Sequence, residues 1–322
     1  MREAAFIKKN KDKWQQFEDI LSKKITVSPD KLSDLYIEIT DDLSFAKTFY
    51  PTSKVVAYLN GISATAHLKI YVTKKESKNR FISFFKTEFP LAFYQHQKQL
   101  LITFSVFLFF AIVGAFSAAN DVDFVRVILG DSYVNMTLEN IEKGDPMAVY
   151  KKQAEMDMFL GITINNIRVA MMAFIFGILF SIGTLFIMMQ NGIMLGSFLY
   201  FFYDKDLLWE SSRTIWIHGT IEISVIIIAG CAGMVLGNGI LFPKTYSRLE
   251  SFKKSIKEGL KIMVSTIPFF IIAGFLEGFV TRHTEMPDWL AVFIIFSSLT
   301  IIVYYYIIYP IQLTKKMQKN VQ

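Results

Sequence analysis

Cysteine is nearly missing from this sequence. Cys231 is the single one in 322 residues, and it sits inside an apolar run, so no intrachain disulfide can hold the chain together. Charge is scarce as well: Asp, Glu, Lys and Arg make up 19% of residues, where a soluble domain carries roughly a quarter. There is no GxSxG nucleophile turn, no HExxH and no phosphate-binding GxxxxGK[ST] loop. Low-complexity tracts and internal repeats are absent too. Together these absences exclude a soluble enzyme, a secreted disulfide scaffold and a disordered chain. The opening MREAAFIKKN lacks the short apolar core of a secretory signal, so the first hydrophobic segment is expected to act as its own insertion signal.

What is present is apolar. Hydrophobic residues make up 52% and aromatics 15%, and the mean hydropathy is +0.37. The excess is gathered into long runs separated by polar stretches, and the longest reach the roughly 20 residues that a helix needs to cross a bilayer. The chain therefore reads as an integral membrane protein of the all-α class, a polytopic helical bundle whose first partner is the lipid bilayer. Its net charge of +6 reports topology, because Lys and Arg are retained on the cytoplasmic side. No basic patch is interleaved with aromatics, so nucleic acid is not an expected partner.

Three parts are expected: a helical module over residues 1–97, a transmembrane domain over 98–310, and a basic tail over 311–322. In the module, Phe6, Trp14, Phe17, Ile20 and Leu21 recur at helical spacing among Lys8, Lys9, Lys11 and Lys13. Ser28-Pro29-Asp30 ends that helix and opens another, Pro51 marks a second break, and residues 54–71 read as a third helix. Phe81, Phe84, Phe85 and Phe89 then form a stripe ahead of Pro90. That stripe fits a helix lying in the membrane interface, or a packed face of the module.

Full-length spans are expected at about 100–119, 169–189, 214–241, 259–280 and 289–309, with a short apolar run at 191–203. The stretch 120–166 is acidic, with Asp121, Asp123, Asp131, Glu139, Glu142 and Asp145 among its charges, whereas the amino-terminal module is rich in Lys and Arg. The positive-inside rule then puts the amino terminus in the cytoplasm and this loop outside. Five spans would set the basic segment 242–261 and the basic tail on inconsistent sides. Six spans, with 191–203 crossing as a short helix buried in protein, remove the conflict; a re-entrant hairpin is the alternative.

The chemistry-bearing residues are the polar ones inside apolar runs. His218 and Glu222 are spaced i,i+4 and so share a helix face. Glu277 lies in AGFLEGFVT, Asn165 and Asn166 open the second span beside Arg168, and Asn191 precedes Gly192. Carboxylates in hydrocarbon face the interior, pair up, or line a wet path. Three readings are open: a polar lock between helices, a substrate or ion path, and a metal site with His218, Glu222 and Glu277 as ligands to zinc or another divalent ion. No cofactor is otherwise expected, and no catalytic residue can be assigned. His67, His96 and His283 read as solvated or interfacial. Gly192 with Gly196, Gly233 with Gly237, and Gly274 with Gly278 are small-xxx-small pairs that let helices pack closely, within one subunit or between copies.

These residues carry a resemblance. Gly144-Asp145-Pro146 with Tyr150, Asn165-Asn166, Gly177 with Gly183 and Thr184, Asn191-Gly192 with Gly196, His218-Gly219 with Glu222, and then Glu277 occur in an order that resembles the stage II sporulation protein M family. The resemblance implies a multi-pass protein of the bacterial cytoplasmic (inner) membrane, without an established enzymatic activity. It implies a scaffold that organises envelope or cell-wall-remodelling partners, such as peptidoglycan hydrolases or components of MoxR-type ATPase systems, and that works as a homo-oligomer. The alternative from the residues alone is a transporter or an intramembrane metal-dependent enzyme using the His/Glu set. Residues 1–97 are the part that the shorter namesake is least expected to explain.

Overall fold

The structure is a computed structural model that describes residues 2–22, 29–71, 80–121, 123–151 and 154–319. Ser28, Lys152 and the last three residues of the tail lie outside the described residues. Every regular element among the described residues is helical. The chain divides into two units, Met1–Arg80 and Phe81–Gln322.

The first unit holds α1 (Glu3–Leu21), α2 (Pro29–Phe49) and α3 (Lys54–Tyr71). Phe6, Trp14, Phe17, Ile20 and Leu21, the apolar stripe of α1, are buried against Leu35, Ile39 and Leu43 of α2 and Leu59, Ile62 and Ala66 of α3. The Trp14 indole donates to Asp42 at 2.8 Å, and Lys13 stands 2.7 Å from the same carboxylate. The buried indole N–H is thereby satisfied at the edge of an otherwise apolar core.

The boundary at Arg80 moves the aromatic stripe out of this module. Phe89 and Phe93 are fully buried in the core of the second unit, stacked on and edge-on to Tyr305 and Tyr306, while Phe81 stays exposed. Tyr305 and Tyr309 donate to the carbonyls of Phe85 and Lys86 at 3.0 and 2.8 Å. The stripe is thus split between the bundle core and its surface, which neither sequence reading anticipates.

Six helices of the second unit are long and apolar enough to cross a membrane: Gln97–Asn120, Glu155–Ile178, Ile182–Asp204, Leu208–Leu241, Arg248–Thr281 and Asp288–Lys319. They are called the first to sixth spans here. The second ends about ten residues earlier than the hydropathy suggests, and 191–203 is the latter half of a 23-residue span. The break between them is a turn at 179–181, where Phe180 and Ser181 take positive φ of 52° and 67°. Hydropathy cannot see a turn whose own residues are as apolar as its flanks. The turn satisfies its backbone internally, through Leu179 N–H to Phe176 O and Ser181 N–H to Gly177 O. With six spans alternating, the basic 242–247 connection and the end of the sixth span fall on the same side as the start of the first.

The fourth span is the axis of the bundle. Of its most apolar stretch, 72% is buried, and it packs on all five other spans. A helix apolar on every face has that place in a bundle. The three glycine pairs all sit at span–span contacts within this chain. Gly192 and Gly196 face the Phe107 and Ala111 carbonyls of the first span. Gly233 and Gly237 face Ala173, Gly177 and Ser181 at the hairpin, and Gly274 and Gly278 face Thr163, Phe159 and Glu155 of the second span.

Candidate functional site

Four elements converge at the end of the bundle that carries the 121–154 connection. One turn of the fourth span places His218 and Glu222 on one face, as their spacing requires. The fifth span closes with a π-helical turn, Leu276–Thr281, that brings Glu277 and Thr281 to the same point. Such wide turns are rare in helices and frequent at functional sites. The second span contributes Asn166. A short 3-10 helix in the connection, Ala148–Lys151, contributes Tyr150.

The contacts are short and specific. His218 Nδ1 lies 2.9 Å from Thr281 Oγ1, and His218 Nε2 lies 3.7 Å from a Glu277 carboxylate oxygen. The Asn166 amide donates to Glu222. One ligand atom from each of His218, Glu222 and Glu277 lies within 4.8 Å of the others. Tyr150 meets the His218 ring edge-on, with centroids 5.7 Å apart. The His218 side chain is 5% exposed and that of Glu277 13%, so the group is shielded from solvent. Burial first, and then the charges of Glu277, Tyr133 and Glu222, hold the Tyr150 phenol well above its ordinary value. It therefore stays protonated, and can donate a hydrogen bond, at any physiological pH.

The connection is shaped to deliver Tyr150. Gly144 ends helix Asp131–Glu142 with φ +76°, a conformation open to glycine and costly for other residues. Asp145 is held by Lys151 at 2.8 Å, and Met147 is buried among Val125, Val134, Phe201 and Phe202. The Gly-Asp-Pro segment thus fixes the start of the 3-10 helix on which Tyr150 stands. Around the site, Arg282 pairs with Glu155 at 3.1 Å. Arg213 bonds Asp288 and the carbonyls of Thr284 and Met286, which ties the fourth span to the turn between the fifth and sixth. Arg213→Ala is expected to lower the unfolding free energy by about 2–4 kcal/mol, since charge-assisted bonds contribute about 1.5–3 each and the lost ones overlap. Thermal unfolding in detergent would read it, and an unchanged midpoint would refute the clamp.

Two residues of the expected polar set lie elsewhere. Asn165, one position and about 100° around the helix from Asn166, is exposed on the bundle surface. Asn191 bonds the Ile187 carbonyl of its own helix and lies on the third span, away from the cluster. His67 and His283 are exposed. His96, expected to be solvated or interfacial, is instead 9% exposed and 3.0 Å from Glu258, with its carbonyl 3.6 Å from Cys231 Sγ. Thr281 escapes sequence reading, although it lies four residues after Glu277 and so near the same helix face; a hydroxyl residue at a span end carries no signal of its own.

Comparison with known proteins adds four findings. The family described as stage II sporulation protein M matches residues 103–282, more than half of the chain and all of the site. A second family, described as a domain of unknown function, matches residues 4–72. An uncharacterized protein of Methanocaldococcus jannaschii is 26% identical over 156 residues, covering 48% of this chain and 68% of that protein. No solved structure matches the chain.

Proposed function

The chain belongs to the stage II sporulation protein M family, and from that premise we propose that it is a multi-pass membrane scaffold that organises other proteins of the envelope. The observation that carries this reading is the order of the 121–154 connection. It folds into helices Phe124–Leu129 and Asp131–Glu142, and it packs Val125, Val134 and Met147 on Phe201 and Phe202 at the end of the third span. A slack connection between spans needs no core of its own. Its outward face keeps Asp131, Glu139 and Glu142 in solvent, an acidic surface that would steer a basic partner toward it. The compact α1–α3 unit offers a second folded surface.

In this reading the amino-terminal unit lies in the cytoplasm and the 121–154 connection outside, in a bacterial inner membrane, as the basic and acidic segments require. The outer face recruits envelope partners such as peptidoglycan hydrolases, the inner face meets components of a MoxR-type ATPase system, and the chain works as a homo-oligomer. Photo-crosslinkers placed at Asp131 and Glu142, and separately on exposed positions of α2, should each capture a discrete partner in cells. Capture of no specific partner from either surface would overturn the reading.

A further inference from the structure

The His218 cluster does something that docking does not require: it gathers two half-buried carboxyls beside a buried imidazole between helices of the bundle. We propose that His218, Glu222 and Glu277 bind one divalent transition-metal ion of the zinc class, held between the fourth and fifth spans.

The geometry suits such an ion. Zinc takes imidazole nitrogen and carboxylate oxygen at about 2.0–2.2 Å, so neighbouring ligands around a tetrahedral ion lie about 3.4 Å apart. His218 Nε2 and Glu277 are already 3.7 Å apart, and all three ligand atoms lie within 4.8 Å of one another. Closing around an ion moves each by less than about 1 Å. Three protein ligands leave one tetrahedral position open, the arrangement of zinc sites that bind a further group.

The supporting residues point the same way. His218 Nδ1 lies 2.9 Å from Thr281 Oγ1, so a proton on Nδ1 can be donated to that hydroxyl, which leaves Nε2 to face Glu277 as a ligand atom. In that tautomer the Nε2 lone pair and the two carboxyl groups offer their donor atoms to one cation. Metal-bound histidines characteristically donate their other ring N–H in this manner, which fixes tautomer and ring orientation. The Asn166 amide does the same for Glu222. Two carboxyl groups largely shielded from solvent beside one imidazole call for neutralisation, by a shared proton or by a cation. The nearby cations Arg282 and Arg213 are engaged with Glu155 and Asp288. A bound dication displaces that proton and balances both carboxylates directly.

This inference stands apart from the scaffold reading, because it rests on the bundle and not on the docking surfaces. The test is metal content of the full chain, purified in detergent without a histidine tag and measured by elemental mass spectrometry. About one ion per chain is expected in the native protein. The Glu222→Gln/Glu277→Gln variant keeps the size and polarity of both side chains and is expected to elute as a folded species with the metal gone. Thr281→Val is expected to retain the site with affinity for zinc lowered about 10- to 100-fold. The native protein alone supplies a check that needs no variant: stripping it with a chelator should lower its thermal midpoint, and zinc chloride, but not magnesium chloride, should restore it. Metal-free native protein whose midpoint ignores added zinc would overturn the proposal, as would a double variant that keeps its metal.

Discussion

Gly233→Leu is expected to abolish assembly of the bundle. A Cβ at Gly233 would overlap the Ala173 carbonyl of the second span and the Thr184 hydroxyl of the third, and Thr184 itself donates to Ala173 at 2.7 Å. The contact is reciprocal, since a Cβ at Gly177 would overlap the Gly233 carbonyl. Overpacking in a core costs about 1–3 kcal/mol where side chains can shift. Here the obstacle is the main chain of the neighbouring spans, so the cost is expected to exceed about 3 kcal/mol, a large part of a stability of roughly 5–15 kcal/mol. Size-exclusion of the detergent-solubilised variant should show aggregate in place of a single peak. Gly161→Ala is the control: that position is exposed, with nothing within 4 Å of a new Cβ, and alanine there should gain up to about 1 kcal/mol of helix propensity. A monodisperse Gly233→Leu protein with a native midpoint would refute the packing of these three spans.

Trp14→Ala is expected to unfold the first unit while leaving the second intact. Trp14 is 3% exposed, meets Phe6 at 5.5 Å and Tyr58 at 6.1 Å between ring centroids, and its indole holds Asp42. Removing a buried tryptophan costs about 3–5 kcal/mol, and Asp42 also loses its indole donor. A unit of this size buries a smaller share of its surface than a large domain and is correspondingly marginal, so the loss is comparable to its whole stability. Limited proteolysis of the full chain should digest the first 80 residues rapidly and leave a resistant fragment over 81–322. Equal protection in variant and native protein would show that Trp14 does not hold the unit together.

The two variants separate parts of the molecule that differ in how plainly the sequence displays them. The module was legible because its signals are local. An apolar residue every three or four positions, with breaks at Pro29 and Pro51, marked the start of α2 and the bounds of α3, while α1 ends at Leu21, ahead of the expected stop at Ser28. The second and third spans were not, because their separating turn is built from the same apolar residues as the helices it joins. The glycine pairs were visible as spacings, yet nothing local to them says whether the facing helix belongs to the same chain.

The site divides in the same way. Asn166, His218, Glu222 and Glu277 stand out in the sequence because an ionisable or amide group is costly in hydrocarbon and so marks a place where the chain must satisfy it. That argument applies equally to Asn165, which is exposed, and to Asn191, which bonds the Ile187 carbonyl of its own helix. Thr281 and Tyr150 carry no such cost, and only the convergence of the π-helical turn and the Gly144 turn sets them on His218. Composition and period along the chain carried the helical class and the membrane character, but left the sixth crossing open against a re-entrant hairpin. Which polar residues meet, which glycines touch and where the aromatic stripe is buried were decided by tertiary structure, because each depends on a partner up to more than two hundred residues away whose position no local pattern encodes.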